Sequence, residues 1–270
     1  MKTRLDVALF ERGLAKSREE ARALVLAGQV YLGEVKALKA GQFVTEETQL
    51  SVRGETCPFV SRGGYKLQKA MEVFPISLDQ KVCADIGAST GGFSDCMLQH
   101  GARKVYAIDV GYGQLDWKLR SDERVAVMER TNARFMEPGW FAEPPEFASI
   151  DVSFISLDKI LPPLYPCLAQ GGQVVALIKP QFEAGKDKVG KHGVVSEEAT
   201  HIEVIERVLS VSRAAGFCVR GLSYSPIRGP KGNIEFLVFL EKCIQSDHNV
   251  TENDHDLAVS VVHDAHSLCI

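Results

Sequence analysis

The chain has 270 residues, 45% hydrophobic and 24% charged, which fits an ordinary globular protein with room for one large domain and a small one. No apolar run is long enough to cross a bilayer, and Asp6 and Glu11 interrupt the N-terminal segment where a signal peptide needs an apolar core, so we expect a cytoplasmic protein. The seven cysteines include no Cys-x-x-Cys pair, which favours reduced, mostly buried thiols over disulfides or a zinc site.

The net charge of −4 is unevenly distributed along the chain. Residues 241–270 contain one basic and six acidic residues, which leaves a net charge of +1 for the other 240 residues. The acidic average therefore does not exclude a basic patch on the body of the protein.

The first 60 residues predict a small separate unit. Apolar residues at helical spacing predict one helix over Arg4–Arg12 and a second over Arg18–Ala27, with Ser17 as its N-cap. Short strands are predicted at Val30–Leu32, Gln42–Val44 and Leu50–Val52. The basic side chains on the helices that are candidates to follow a phosphate backbone are Arg4, Lys16, Arg18 and Arg22. From charge alone, a solvated face balanced by glutamates is the favoured interpretation.

The motif pattern of this unit is more specific than its charge. R-L-D-x-x-L at Arg4–Leu9, Gly13, K-S-R at Lys16–Arg18, Ala21 and G-x-V at Gly28–Val30 resemble an S4 domain, a small α+β RNA-binding fold. The resemblance implies that the unit binds RNA.

The segment KVCADIGASTGGF at Lys81–Phe93 predicts a buried strand, a glycine-rich turn and a helix. It follows a turn-rich linker at Gly54–Gly64 and a predicted helix at Tyr65–Phe74. Glycines let a small ligand approach the backbone. Asp109 ends the next strand, about twenty residues on, where nucleotide-binding sheets place the acid that binds a ribose hydroxyl. We therefore predict a nucleoside-cofactor site.

Three interpretations of this turn compete. A dinucleotide fingerprint needs glycine at the position of Ser89, so the side chain there argues against NAD. Gly87–Gly91 also matches G-x-S-x-G, the nucleophile elbow of hydrolases. The third interpretation is the S-adenosylmethionine loop of a class I methyltransferase, which alone gives roles to Asp85, Asp109 and the doubled glycine. An ordinary strand–turn–helix connection does not account for Asp109.

From Lys81 onward, predicted strands and helices alternate, which indicates a parallel sheet with helices on both faces. The loop Pro226–Gly232 contains no helix, so the two strands beside it should form an antiparallel hairpin. Seven strands ending in such a hairpin match the plan of a class I methyltransferase, a Rossmann-like α/β fold. The predicted strands are Val82–Ile86, Lys104–Asp109, Arg124–Met128, Phe147–Asp151, Gln173–Lys179, Phe217–Tyr224 and Ile234–Leu240.

The ends of the large domain have less sequence signal. We expect the loops Pro180–Gly193 and Pro226–Gly232 to face the substrate. Residues 246–270 hold four histidines, for which a polar, frayed tail is favoured over a metal site. The predicted division is therefore an RNA-binding domain at residues 1–60, a catalytic domain at 61–243 and an acidic tail at 244–270.

Three ionisable residues end or interrupt apolar strands: Asp151, Lys179 and Glu235. Burying a charge is costly unless it is paired, so three such residues in neighbouring strands indicate one converging site. Together with Lys66 they match the K-D-K-E tetrad of FtsJ-like RNA 2′-O-ribose methyltransferases.

Further motifs extend the resemblance over residues 2 to about 242. With S-R-G-G-Y-K-L at Ser61–Leu67, D-V-S-F-I-S at Asp151–Ser156 and G-N-I-E-F at Gly232–Phe236, the chain resembles the TlyA family. The resemblance implies methylation of ribosomal RNA with S-adenosyl-L-methionine, ribosomal subunits as partners and catalysis by the tetrad. It also implies a cofactor site lined by Asp85, Gly87, Ser89, Gly91, Gly92, Phe93, Asp109 and Asn132.

Two other functions remain open at this point. A non-catalytic RNA-binding or ribosome-assembly protein could keep the methyltransferase fold, although the intact tetrad speaks against it. Members of the family are also called haemolysins, which suggests membrane lysis. No stretch has the apolar face and cationic polar face of a membrane-active helix, so no membrane partner is expected.

Overall fold

The computed structural model describes residues 2–26, 28–53, 57–243 and 254–268. The chain divides into two compact units, Met1–Pro58 and Phe59–Ile270.

The smaller unit contains two short helices, α1 (Leu5–Glu11) and α2 (Arg18–Leu26), close to the predicted bounds. At the start of α2, Ser17 Oγ accepts a hydrogen bond from Glu20 N (3.1 Å), as expected of an N-cap. Strand β1 (Lys2–Arg4) pairs with β4 (Phe43–Thr45), while β2 (Val30–Leu32) lies between β3 (Val35–Lys36) and β5 (Leu50–Val52). The sequence did not predict β1 and β3, because their residues, KTR and VK, lack the apolar pairs that marked β2, β4 and β5.

The larger unit is built on one seven-stranded sheet in the order β11-β12-β10-β9-β6-β7-β8. Strands β6 to β10 run parallel, and β12 is antiparallel to both of its neighbours, so the predicted terminal hairpin is confirmed. The strands are β6 (Val82–Ile86), β7 (Lys104–Ile108), β8 (Val125–Met128), β9 (Phe147–Ile150), β10 (Gln173–Ile178), β11 (Phe217–Tyr224) and β12 (Phe236–Lys242). The class I methyltransferase fold is thereby confirmed.

Helices cover this sheet and explain its apolar strands. Strands β6 and β9 are buried along their whole length, as expected of parallel strands covered on both faces. The helices of this unit are α3 (Gly64–Val73), α4 (Gly92–Gln99), α5 (Trp117–Arg120), α6 (Leu161–Cys167), α7 (Pro180–Glu183), α8 (Glu198–Ala214) and α9 (Asp254–Leu268).

Helix α9 corrects the prediction of a frayed tail, which is wrong over Asp254–Leu268. The helix buries Ala258, Val261, Val262 and Ala265 in the core of the larger unit. The spacing of these residues is that of an amphipathic helix, but the acidic composition of the segment masked it. Residues 244–253, with His248, lie outside the described residues.

The expectation that all cysteines are reduced is also wrong for one pair. Cys218 in β11 and Cys243 just after β12 form a disulfide between neighbouring chain segments. Sequence spacing could not reveal this pair, because only the hairpin register brings residues 25 positions apart together. Cys83 and Cys96 are buried free thiols, and burial raises the pKa of each to about 12, so they are unreactive.

Candidate active site

The glycine-rich turn after β6 is shaped by positions that exclude a side chain. Gly87 has a φ of 86°, and a Cβ atom there would lie 2.7 Å from the carbonyl oxygen of Asp151. Gly91 has a φ of 95° and is the N-cap residue of α4. Both positions require glycine, since other residues are strained in this region of φ. A Cβ atom on Gly87 would collide with the loop at Asp151, and one on Gly91 with the side chain of Leu119 on α5. Glycine at these positions lets the turn pack closely against its neighbours.

Asp109 follows β7 and holds this turn. Its carboxylate accepts hydrogen bonds from Ser89 N (2.7 Å) and Gly111 N (2.6 Å). Asp109, Ser89 and Asn132 line a cleft of about 500 Å³, and Asn132 Oδ1 accepts from Arg134 N at its edge. Each carboxylate oxygen can accept a second hydrogen bond, so Asp109 can also bind a ribose diol. The cleft, the acid and the glycines fit the nucleoside of S-adenosylmethionine.

Asp85 lies behind the turn rather than at its surface. The residue is only 1% exposed, and its oxygens accept hydrogen bonds from Ser94 N, Ser94 Oγ and Ser149 Oγ at 2.7–3.0 Å. Burial raises the pKa of Asp85 to about 6, although these hydrogen bonds oppose the shift. Asp85 thus fixes the start of α4 against the end of β6.

A second cleft of about 230 Å³ adjoins the first and shares Gly87, Ser89, Asp151 and Ser153 with it. Gly92 and Phe93 line this smaller cleft. A Cβ atom on Gly92 would lie 2.8 Å from Gly64 N, so glycine is needed there too. All eight residues of the predicted cofactor site therefore surround these two clefts or support the turn between them.

The four predicted catalytic residues meet at the smaller cleft. Lys66 Nζ donates to Glu235 Oε2 (2.6 Å) and to Asp151 Oδ2 (3.3 Å). Lys179 Nζ lies 2.5 Å from Asp151 Oδ1. Asp151 therefore joins two lysines that are more than one hundred residues apart in the chain.

Neighbouring elements explain how the tetrad converges. Lys66 lies on α3, Asp151 directly follows β9, and Lys179 lies between β10 and α7. Glu235 directly precedes β12 rather than lying within it, which corrects its predicted place in the last strand. Since β12 is antiparallel to β10, its beginning lies beside the end of β10. The four side chains thus come to one edge of the sheet.

The tetrad is a buried, charged network. Burial alone would lower the pKa of Lys66, but Asp151 and Glu235 together raise it above its ordinary value. Burial would raise the pKa of Asp151, but Lys66 and Lys179 hold it below its usual range. Two lysines and two carboxylates balance one another, which is the condition for keeping charges inside a protein.

The hydrolase interpretation of the turn finds no support in this geometry. Ser89 Oγ donates a hydrogen bond to Gln114 Oε1 (3.4 Å). Among the described residues, the linings of both clefts contain no histidine that could act as its general base.

Comparisons with known proteins decide between the remaining interpretations. The FtsJ-like methyltransferase model matches residues 59–242, and the S4 domain model matches residues 3–50. TlyA of Mycobacterium tuberculosis, a 16S/23S rRNA (cytidine-2′-O)-methyltransferase, is 40% identical over 265 residues, which cover 98% of this chain and 96% of that protein. The chain belongs to the TlyA family of FtsJ-like methyltransferases. The predicted family, cofactor and enzyme class are confirmed.

Two further proteins are similar to this chain over most of their length. YqxC of Bacillus subtilis, described as a candidate rRNA methyltransferase, is 54% identical over 240 residues, which cover 88% of this chain and 85% of that one. A solved structure from Streptococcus thermophilus, described as a candidate hemolysin, superposes with a TM-score of 0.78 and 48% identity, covering 99% and 96% of the two chains.

In the S4 domain of this TlyA-family protein, three of the four predicted RNA-binding residues surround one carboxylate. Asp6 is 0% exposed and accepts from Arg4 Nε and Nη2 and from Arg22 Nε, each at 3.0 Å, while Arg18 lies 4.0 Å away. Hydrogen bonds from Arg4 and Arg22 hold the pKa of Asp6 well below its usual range. The arginine side chains remain 45–48% exposed. The fourth residue, Lys16, is exposed.

Sequence reasoning on the TlyA motifs missed two residues beside the tetrad. Ser153 Oγ accepts a hydrogen bond from Lys179 Nζ (3.2 Å) and lines both clefts. Phe154 is 90% exposed, has a φ of 63° and packs against Phe182, with ring centroids 4.9 Å apart. A phenylalanine in this strained conformation beside an active cleft indicates a functional position. Both residues follow Asp151 in the D-V-S-F motif, which was the available signal.

Proposed function

We propose that this protein transfers a methyl group from S-adenosylmethionine to a ribose 2′-hydroxyl of ribosomal RNA. The observation that carries the proposal is the tetrad of Lys66, Asp151, Lys179 and Glu235, joined by contacts of 2.5–3.3 Å beside a cleft that fits the cofactor. The FtsJ-like fold and relatives named as rRNA methyltransferases support the choice of reaction and substrate.

Lys179 is the residue that meets the substrate oxygen. The cofactor supplies, when bound, a methyl group on a positively charged sulfur. A ribose hydroxyl is a weak nucleophile and must lose its proton as it attacks. Asp151 Oδ1 and Ser153 Oγ hold Lys179 Nζ from two sides, which leaves its remaining position for the 2′-hydroxyl. In this role Lys179 orients the oxygen by donating a hydrogen bond to it, and the hydroxyl proton is released to solvent water as the oxygen takes the methyl group.

Asp151 and Glu235 position the lysines rather than react. Asp151 remains ionised, because the pKa of its carboxyl is held low by both lysines. Glu235 is 2% exposed and holds Lys66 at 2.6 Å. Because these charged side chains are already held in place, they do not have to move when charge develops during the reaction. We assign Lys66 a second role, contact with the RNA backbone.

For cofactor binding, we assign Asp109 to the ribose diol and Asn132 to the edge of the nucleoside cleft. Gly87, Ser89, Gly91 and Gly92 provide the backbone of the turn, and Phe93 provides the apolar wall of the smaller cleft. Asp85 supports this turn from behind.

For RNA binding, we assign the phosphate contacts of residues 1–60 to Arg4, Lys16, Arg18 and Arg22. The three arginines around Asp6 exceed its charge and stay half-exposed, which suits a phosphate backbone. Residues 61–243 then form the methyl-transferring domain. Since its proposed substrate is ribosomal RNA, we place the enzyme on ribosomal subunits in the cytoplasm.

A membrane-lysing role is the second candidate, because a relative from Brachyspira hyodysenteriae, 42% identical over 235 residues, is named Hemolysin A. None of the helices in the described ranges is long and apolar enough to span a bilayer. Leakage of dye from protein-free liposomes on addition of the pure protein would support lysis.

The test of the proposed function is a map of 2′-O-methyl positions in ribosomal RNA from cells with and without this protein. A position that loses its methyl group without the protein, and regains it when purified subunits are incubated with protein and cofactor, is the expected result. Identical maps, together with no transfer of labelled methyl groups in vitro, would leave only a non-catalytic role in RNA binding or ribosome assembly.

A further inference from the structure

Asn233 is a buried polar residue that the reaction described above does not use. It is 2% exposed and lies two residues before Glu235, in the turn that leads into β12. A buried amide is costly unless its donor and acceptor are both satisfied, so its partners show what it does.

Both ends of the Asn233 amide bind one neighbouring loop. Its Oδ1 accepts from Val195 N (3.0 Å), and its Nδ2 donates to the carbonyl oxygen of Gly193 (2.9 Å). Its own backbone carbonyl accepts from Gly229 N (2.9 Å). Asn233 therefore clips the loop at Gly193–Val195 to the turn at Gly229–Asn233.

The turn held by Asn233 forms the wall behind Glu235. A Cβ atom on Gly229 would lie 2.8 Å from Glu235 Oε1, so the turn leaves no room for a side chain between itself and that carboxylate. On the other side, the backbone carbonyl of Glu235 accepts from Ser225 N (2.9 Å). The position of Glu235, and through it that of Lys66, thus depends on where the turn lies.

The clipped loop is anchored in turn to the helices beneath it. His201 on α8 donates from Nε2 to the carbonyl oxygen of Val195 (3.1 Å), because a carbonyl can only accept. Its Nδ1 must then accept from His266 Nε2 on α9, 3.0 Å away. Through Asn233, the turn beside the tetrad is therefore hydrogen-bonded to a loop that is itself fixed to the packed helices α8 and α9.

We propose that Asn233 is a positioning residue for methyl transfer, which fixes the Glu235 carboxylate by clipping its turn to the loop anchored on α8 and α9. The inference rests on the proposed function, since it concerns the same reaction. Asn233 lies behind Glu235 and away from the nucleoside cleft, so its loss should lower turnover without weakening cofactor binding.

The test compares Asn233→Ala with the wild type and with Ser212→Ala. Ser212 is also a buried polar residue of the larger unit, and its hydroxyl donates to Val208 O within the same helix, α8. We expect kcat for RNA methylation to fall by about tenfold or more in Asn233→Ala, because small displacements of catalytic groups are that costly. Calorimetry should show S-adenosylmethionine affinity within about twofold of wild type in both variants. Ser212→Ala should keep its kcat.

A double-mutant cycle with Glu235→Gln distinguishes positioning from general destabilisation. If Asn233 acts through Glu235, adding Asn233→Ala to Glu235→Gln should cost less than about twofold in kcat. Additive losses, or an unchanged kcat in Asn233→Ala alone, would overturn the inference. If Asn233→Ala does not fold, Asn233→Ser enters the same cycle. Failure of the proposed function is distinguishable, because the wild type itself would then transfer no methyl group.

Discussion

The tetrad and the arginine cluster of the S4 domain use similar groups in opposite ways. In the tetrad, two lysines and two carboxylates balance, and all four side chains are less than 20% exposed. Around Asp6, three arginines face one carboxylate and remain 45–48% exposed. Because its charges balance and are buried, the tetrad is suited to holding reacting groups in place. Because the arginine cluster has an excess of positive charge and is half-exposed, it is suited to binding an anion. The predictions below test this division between chemistry and binding.

The largest effect is expected from Lys179→Ala. The change removes the group assigned to the 2′-hydroxyl but leaves Asp151 paired with Lys66, so the fold should persist. We expect methyl transfer to fall by about 10³-fold, within the range for loss of a hydrogen-bond donor to the reacting oxygen, while cofactor affinity is retained. A filter assay with labelled cofactor measures the first quantity and calorimetry the second. The control is Lys159→Ala, which breaks only a surface pair with Asp158. Undiminished transfer would remove Lys179 from the mechanism.

Removing one charge from the balanced tetrad should destabilise the folded protein. Lys66→Met leaves Glu235 buried without its cation, so the free energy of unfolding should fall by about 3–5 kcal/mol. Adding Glu235→Gln removes the unpaired charge and should restore part of that loss. Urea unfolding of the cofactor-free protein measures both. Equal stability of the single and double variants would show that charge balance does not stabilise the site.

His201 is a buried ionisable residue that, unlike the tetrad lysines, has no carboxylate as a direct hydrogen-bond partner in the described part of the chain. His201 is 0% exposed and packs against His266, the Phe236 ring and the carbonyl of Val195, with Glu198 beyond His266. Burial, and then the nearby His266, lower the pKa of His201 from 6.5 to about 4. Whereas the tetrad lysines have carboxylate partners, His201 must stay neutral.

The sign of the resulting pH dependence follows from this lowered pKa. The unfolded chain takes up the proton first, so the stabilisation is complete above pH 6.5 and is lost as the pH falls towards 4. The loss should reach about 3 kcal/mol. Unfolding measured at pH 7 and pH 5 should show this slope in the wild type and a smaller one in His201→Gln. Parallel slopes would contradict a neutral buried His201.

The smallest effect is expected in the S4 domain. Arg18→Ala and Arg22→Ala should each weaken binding of ribosomal RNA by about tenfold or less and reduce the salt dependence of the affinity by about one counterion. Arg53→Ala is the control, because Arg53 is already paired with Glu34 in the same unit. Affinities measured at several salt concentrations by fluorescence anisotropy decide the question. An unchanged slope would show that these arginines do not contact phosphate.

Local pattern was enough to predict most of the fold. The apolar runs of β6, β7 and β10 predicted buried strands, and the helix-free loop before β12 predicted the hairpin. An apolar run and a loop too short for a helix can each be recognised from residues that are adjacent in the sequence. The disulfide could not be predicted in the same way, because it depends on the register of the hairpin. The packing of α9 depends on which surface remains uncovered once the sheet has formed.

The residues of the site could likewise be predicted only in part. The tetrad residues could be named from strand ends and from the family resemblance, but their distances depend on a sheet order in which β12 lies beside β10. Ser153, Asp6 and Asn233 were missed because each acts through a partner distant in the sequence or hidden in the fold. From the sequence, the arginines of the S4 domain were interpreted as a solvated surface. The structure shows that three of them surround the buried carboxylate of Asp6.

Single-turnover methyl transfer at saturating ribosomal RNA tests the division between chemistry and binding most directly. Under these conditions the rate constant reports the chemical step and not RNA affinity. Lys179→Ala should lower it by about 10³-fold, whereas Arg18→Ala/Arg22→Ala, which leaves Asp6 paired with Arg4, should match the wild type once RNA is saturating. A normal rate constant in Lys179→Ala, or a collapse of the rate constant in the double arginine variant, would contradict the account.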